Sequence, residues 1–172
     1  MRDPIVPPML ADIIQNALLS VEGMTFGDLK KCPFCGGGIQ QHDVRKKRFA
    51  VVRQRGDHHT IYVQVRRYYC KECHRLCYAN APFYPDIRMG APVVDLCCLN
   101  LKDYPYNRFS RILELIGIIV HRGTIRNWAH LNLESVPFLK LFGYNIPLSL
   151  LNLSGEQSPE SLLLSVLSGQ KK

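Results

Sequence analysis

Two Cys-x-x-Cys pairs, Cys32/Cys35 and Cys70/Cys73, constrain this 172-residue chain more than any other feature. Cysteines two residues apart on a tight turn reach the same ion, and thiolates hold zinc tetrahedrally at about 2.3 Å. In Cys32-Pro33-Phe34-Cys35-Gly36-Gly37, the glycine after the second cysteine permits the positive φ that such a knuckle needs. In the second pair His74 occupies that place and Cys77 follows close behind, which leaves an alternative for the fourth ligand, with Cys73 the better match. Cys32, Cys35, Cys70 and Cys73 are therefore expected to close around one structural Zn2+. Four protein ligands leave no open coordination position for water or substrate, so such a metal stabilises folding and does not catalyse. The competing chemistry is redox, but thioredoxin-type pairs sit in a βαβ pattern that is absent here. Cys77 reads as a small buried apolar residue beside the knuckle, and Cys97 and Cys98 as core residues of a later helix.

The segment between the pairs is strand-like over residues 39–45, 48–53 and 60–69. The last run alternates, with Ile61, Val63 and Val65 on one face and Tyr62, Gln64 and Arg66 on the other, and Gly56-Asp57 marks a turn. A small antiparallel sheet bracketed by knuckles is a zinc ribbon, expected over residues 28–78. Ahead of it, in 1–27, Leu10, Ile13, Ile14, Ala17 and Leu18 form the stripe of a packing helix at 8–20. Beyond a proline-bearing connector the spacing turns helical. A helix is expected at 86–101 with Pro92 in its first turn, and another at 106–116 with Phe109, Ile112, Leu113 and Ile116 on one stripe and Gly117 as its stop. A third, at 121–131, carries Ile125, Trp128 and Ala129 at core spacing. This gives a trihelical helix-turn-helix over 86–132, followed by a leucine-rich tail over 133–172 with a short helix at 160–167. The fold class is α+β, in two small modules with flanking helices.

The formal charge is +8, and it is concentrated. Residues 28–76 hold twelve Lys and Arg against four acids, while the rest of the chain is balanced. A positive field confined to one segment favours a polyanionic partner, because each neutralised phosphate releases condensed counterions. Lys46, Lys47, Arg48, Arg66 and Arg67 are the candidates for a phosphate grip. In the third expected helix Arg122, Arg126 and His130 are spaced four apart on a face distinct from the apolar one, with Thr124 and Asn127 beside them. Such a row of hydrogen-bonding side chains is what a recognition helix presents to base edges in a major groove of double-stranded DNA. The alternative is an ordinary three-helix packing unit with a solvated basic face.

Gly117-Ile118-Ile119-Val120 followed by Thr124-Ile125-Arg126-Asn127-Trp128 resembles the helix-turn-helix near the N-terminus of many prokaryotic insertion-sequence transposases. Those proteins often place a Cys-Pro-x-Cys-Gly zinc ribbon ahead of it, as Cys32 to Gly36 do here. The resemblance implies binding to the terminal inverted repeats of an element. In that family an RNase-H-like domain with three metal-binding carboxylates follows, whereas here the residues after Leu131 carry only Glu134, Glu156 and Glu160. His121 also stands where the family usually has a serine N-cap. The resemblance therefore implies DNA binding without transposition chemistry.

No phosphate-cradling glycine loop, nucleophile constellation or adequate carboxylate cluster points to an enzyme. The longest apolar run, 112–120, is interrupted by Glu114 and falls short of the roughly 20 residues that span a bilayer. Asp3, Pro4, Pro7 and Pro8 stand where a signal peptide needs a basic start and an apolar run, so the expected location is the cytoplasm. Seven cysteines, an odd number, are then unsuited to a disulfide framework. Two other readings stay open: a ribbon that docks on a protein assembly, and single-strand or RNA binding by stacking on Tyr62, Tyr68, Tyr69 and Tyr78. Half-site reading is compatible with a homodimer, but no residue pattern sets the stoichiometry.

Overall fold

The computed structural model describes residues 4–133 and 135–154, which form an α+β fold. Its elements in chain order are α1 (Pro8–Leu19), β1 (Thr25–Phe26), β2 (Ile39–Gln54), β3 (Asp57–Cys70), β4 (Leu76–Tyr78), α2 (Ala91–Asn100), α3 (Tyr106–Ile116), α4 (Arg122–Trp128), β5 (Phe138–Leu141), β6 (Tyr144–Pro147) and α5 (Leu148–Leu151), with a final 3-10 turn at Asn152–Ser154. The expected helix at 160–167 lies outside the described residues. Among those described, no helix is long and apolar enough to cross a membrane.

A long antiparallel hairpin of β2 and β3 is the backbone of the molecule. β3 is its inner strand, with β2 along one edge and β1 (parallel) and β4 (antiparallel) in tandem along the other. The turn is Arg55-Gly56, both with positive φ (49° and 90°), between the paired residues Gln54 and Asp57. It lies one residue earlier than Gly56-Asp57 suggested, because a two-residue turn of this handedness matches the twist of its strands and needs both central residues left-handed.

The two strands expected at 39–45 and 48–53 are one. The basic run Arg45-Lys46-Lys47-Arg48 has no hydrophobic alternation to mark it as strand, yet it pairs in register with Val65 to Tyr62. Register shifts leave His42 and Phe49 without cross-strand partners. The second bulge turns consecutive residues inward: Phe49 and Ala50 are both fully buried, which strict alternation forbids. In β3 the expected alternation holds, with Ile61, Val63 and Val65 fully buried between exposed Tyr62, Gln64 and Arg66.

The helices differ from expectation mainly at their ends. α3 has the expected bounds and stops at Gly117, which takes the left-handed cap conformation (φ 86°). α2 begins at Ala91 and not at residue 86: Asp86 is left-handed (φ 62°), Phe83 bridges to Gly90, and Pro92 occupies the first turn, where its missing N–H is harmless. α4 runs only from Arg122 to Trp128, so Ala129 and His130 lie past its end, and Ala129 is exposed where a core position was expected. At its start, the His121 Nδ1 accepts from the Gly123 amide at 3.1 Å, performing the capping task of a serine.

The ribbon and helical spans do not keep separate cores. Leu10, Ile14 and Leu18 of α1, Phe49, Ile61 and Val63 of the hairpin, and Phe109, Ile112, Ile116 and Ile125 of the helices belong to one buried cluster. The joint is also polar. The Arg53 amide donates to Gly117 O at 2.7 Å and the Ile119 amide to Val51 O at 2.8 Å, so the chain leaving α3 adds itself to the outer edge of β2.

The leucine-rich segment after residue 133 contains a hairpin that composition alone conceals. β5 and β6 pair around Phe142-Gly143, again both left-handed, and Leu150 and Leu151 of α5 close on the shared core. The fully buried Asn100 holds β6 as a neighbouring strand would. Its Oδ1 accepts from the Asn145 amide (2.9 Å), and its Nδ2 donates to Asn145 O and Leu96 O (both 2.8 Å). Asn100→Ala strands both backbone groups of Asn145, at about 1–3 kcal/mol for each buried group left unpaired. Urea denaturation should therefore show a loss of about 2–6 kcal/mol, and a loss below about 1 kcal/mol would show that water replaces these bonds.

Candidate metal centre

Each knuckle is built by the same backbone turn. In the first, the Gly36 amide donates to Cys32 O (2.9 Å) and the Cys32 amide to Gly37 O (3.0 Å); in the second, the His74 amide donates to Cys70 O (3.1 Å) and the Cys70 amide to Arg75 O (2.9 Å). Gly36 and His74 occupy equivalent positions, both left-handed, with φ of 74° and 58°. The histidine bears the strain that glycine avoids, and its Nδ1 lies 2.8 Å from the Tyr69 hydroxyl. The Lys71 amide donates to Gly38 O at 3.1 Å, tying one knuckle to the other at the open end of the long hairpin.

The four expected sulfurs converge. Cys32, Cys35, Cys70 and Cys73 place their Sγ atoms within 4.8 Å of one another, with Cys32 3.7 Å from Cys73 and Cys35 3.5 Å from Cys70. A tetrahedron with bonds of about 2.3 Å has edges of about 3.8 Å, so this spacing suits one four-coordinate ion. Cys77, buried, sits 3.6 Å from the Cys32 sulfur but does not belong to the mutually close set.

Amides aimed at sulfur lower the pKa of two of the thiols. Burial opposes charge on Cys32, but donation from Phe34 and Cys35 and the neighbouring thiols outweigh it and bring its pKa down to about 6. The Cys73 amide lowers Cys70 against the same burial. Cys35 accepts from the Gly37 amide, yet its nearness to Cys70 and the other thiols pushes it up to about 12. Protons crowd onto part of the cluster because four adjacent thiolates repel, and a cation relieves that repulsion.

The hairpin sorts the basic run onto two faces. Lys46 pairs with Gln64, Arg48 with Tyr62 and Val44 with Arg66, so Lys46, Arg48 and Arg66 share the exposed face with Tyr62, over whose ring the Lys46 ammonium lies at 4.2 Å. Lys47 pairs with Val63 and faces the other way, half-buried, with its ammonium 4.3 Å from the Tyr78 ring and 5.0 Å from that of Phe83. Among the described residues, none of these four cations has a carboxylate partner. Arg67 differs from the rest. It makes two bonds to its cross-strand partner Asp43 (2.6 and 2.5 Å), with only 12% of its side chain exposed, and that bidentate contact holds the Asp43 carboxyl below its usual range. Arg67 is thus a strut between strands, which spacing alone does not distinguish from a free cation.

On α4, Arg122, Arg126 and Asn127 are exposed and Thr124 is half-buried, while Ile125 and Trp128 point inward. Arg122 Nη1 lies 3.5 Å from Asn107 Oδ1, and His130, exposed, sits in the turn after the helix. Cys97 is fully buried in the core and Cys98 half-buried. Sequence reasoning missed Arg88 and the connector around it, whose place beside Lys47 and Tyr78 depends on how the chain folds back. No family model, curated protein or solved structure matches this chain.

Proposed function

We propose that the chain is a sequence-specific DNA-binding protein, a zinc ribbon joined to a helix-turn-helix, like the DNA-binding region of insertion-sequence transposases. Zinc is the metal that a closed four-thiolate tetrahedron favours. The observation that carries the reading is the open hairpin face, where Lys46, Arg48 and Arg66 stand together with no carboxylate partner among the described residues. In this reading they hold phosphates, while Arg122, Arg126, Asn127 and His130, with Thr124 at the edge, meet base edges from α4 and the turn after it. Lys47 and Arg67, first candidates for the grip, are engaged elsewhere.

The test is duplex titration over a range of salt concentrations. Lys46→Ala should weaken binding to all sequences alike and flatten the salt slope by about one unit, whereas Arg126→Ala should cost about 1–3 kcal/mol at one base position and leave others intact. Identical losses on every sequence from both variants would sink the division of labour. A second reading, a ribbon that docks on protein, draws on Phe34 and Leu76, 59% and 41% exposed at the knuckles. Salt-insensitive capture of a protein partner with no duplex affinity would favour it.

A further inference from the structure

Beside Lys47 and Arg48 of the hairpin, the connector between β4 and α2 folds back and leaves a groove of about 860 Å³. Lys47 and Arg48 line it together with Tyr78, Phe83, Tyr84, Asp86 and Arg88. Its walls are fixed. Phe83 packs edge-on against the buried Phe49 ring at 5.8 Å, and the Tyr84 hydroxyl donates to Asp95, whose second oxygen accepts from Ser149 Oγ at 2.6 Å. Asp95 is therefore satisfied within the wall and presents no free charge to the groove. Tyr78, by contrast, is 48% exposed, and Arg88 is exposed with no carboxylate partner among the described residues.

We infer that this groove binds a single nucleotide, with its base against the Tyr78 ring and its phosphate held by Lys47 and Arg88. The volume suits a small planar ligand. The lining combines an accessible aromatic face with cations in excess of the one acid, Asp86, which is what a ligand that is both aromatic and anionic requires. Lys47 already covers Tyr78 as a cation over a ring. Its flexible stem lets a base take that place while the ammonium moves onto the phosphate. Asp86 is then the acceptor for a base amino group or a sugar hydroxyl. The ligand is either a free nucleotide or an unpaired nucleotide of a single strand, and although Arg48 borders both the groove and the duplex-facing set, Tyr78 and Arg88 lie outside that set, so either proposal can fail alone.

The test uses the full, metal-loaded chain. 2-Aminopurine deoxyribonucleoside monophosphate and a short oligothymidylate carrying one 2-aminopurine are titrated separately, with fluorescence quenching reporting stacking and inorganic phosphate as competitor. Saturable quenching is expected, weakened about ten-fold by Tyr78→Ala and by Arg88→Ala but within two-fold of the original in Tyr78→Phe. Arg88 is exposed, so its variant reports on the ligand even if Tyr78→Ala disturbs the fold. Equal affinity for both probes indicates a free nucleotide, and tighter binding of the oligonucleotide indicates a strand. The proposal is overturned by absence of saturable quenching with both probes, by inorganic phosphate competing as strongly as nucleotide, or by unchanged affinity in Arg88→Ala.

Discussion

Cys70→Ser abolishes stoichiometric metal retention and opens the knuckle end of the hairpin, while the far end stays folded. Cys70 is fully buried, its sulfur is 3.5 Å from that of Cys35, and its backbone closes the second knuckle through Arg75 and His74. Structural zinc sites release apparent binding energies on the order of 10 kcal/mol, and a three-thiolate remnant forfeits most of that. The loss should be local, because Cys32, Cys70 and Cys77 form a small buried cluster apart from the main core. Hydrogen exchange after metal removal should therefore expose the amides of Gly36, Cys70, Lys71 and His74 and spare those of Val52, Ile61 and Ile118. Protection unchanged in chain shown to be metal-free would defeat the assignment. Cys77→Ala is the internal control: lying outside the mutually close set of sulfurs, it should leave one metal per chain.

Phe49→Ala is expected to cost about 3–5 kcal/mol, the range for emptying a fully buried aromatic site. The ring is wholly buried and meets three parts of the molecule. It stands on the β2 bulge, packs edge-on against Phe83 of the connector, and abuts Gly90 at the entry to α2, where a Cβ would come within 2.5 Å of its Cε2. The Gly90 amide donates to Phe49 O at 2.8 Å, so backbone and side chain lock the same joint. Gly90→Ala approaches the joint from the other side. With the ring enclosed by core, the added methyl has no space, and over-packing of this kind costs about 1–3 kcal/mol. Urea midpoints at constant slope measure both, and near-native midpoints would mean that the joint repacks freely.

Features set by short spacing were legible in the sequence. Two knuckles, the alternation in β3, the stripe of α3 and its arrest at Gly117 each depend on contacts within a few residues, where covalent geometry and backbone sterics leave few options. The convergence of Cys32, Cys35, Cys70 and Cys73 also followed from the residues, because the chemistry of a shared ion specifies a contact that the chain must then close. Tertiary structure decided the rest. Five basic residues that look equivalent in sequence separate into an open face, an inward Lys47 and an Arg67 bound to Asp43, because strand register sets which side each takes and a bulge resets it. The hairpin of β5 and β6 is held by Asn100, and the spans expected as two modules share one core, because burial and the pairing of buried polar groups depend on distant partners that no local pattern encodes.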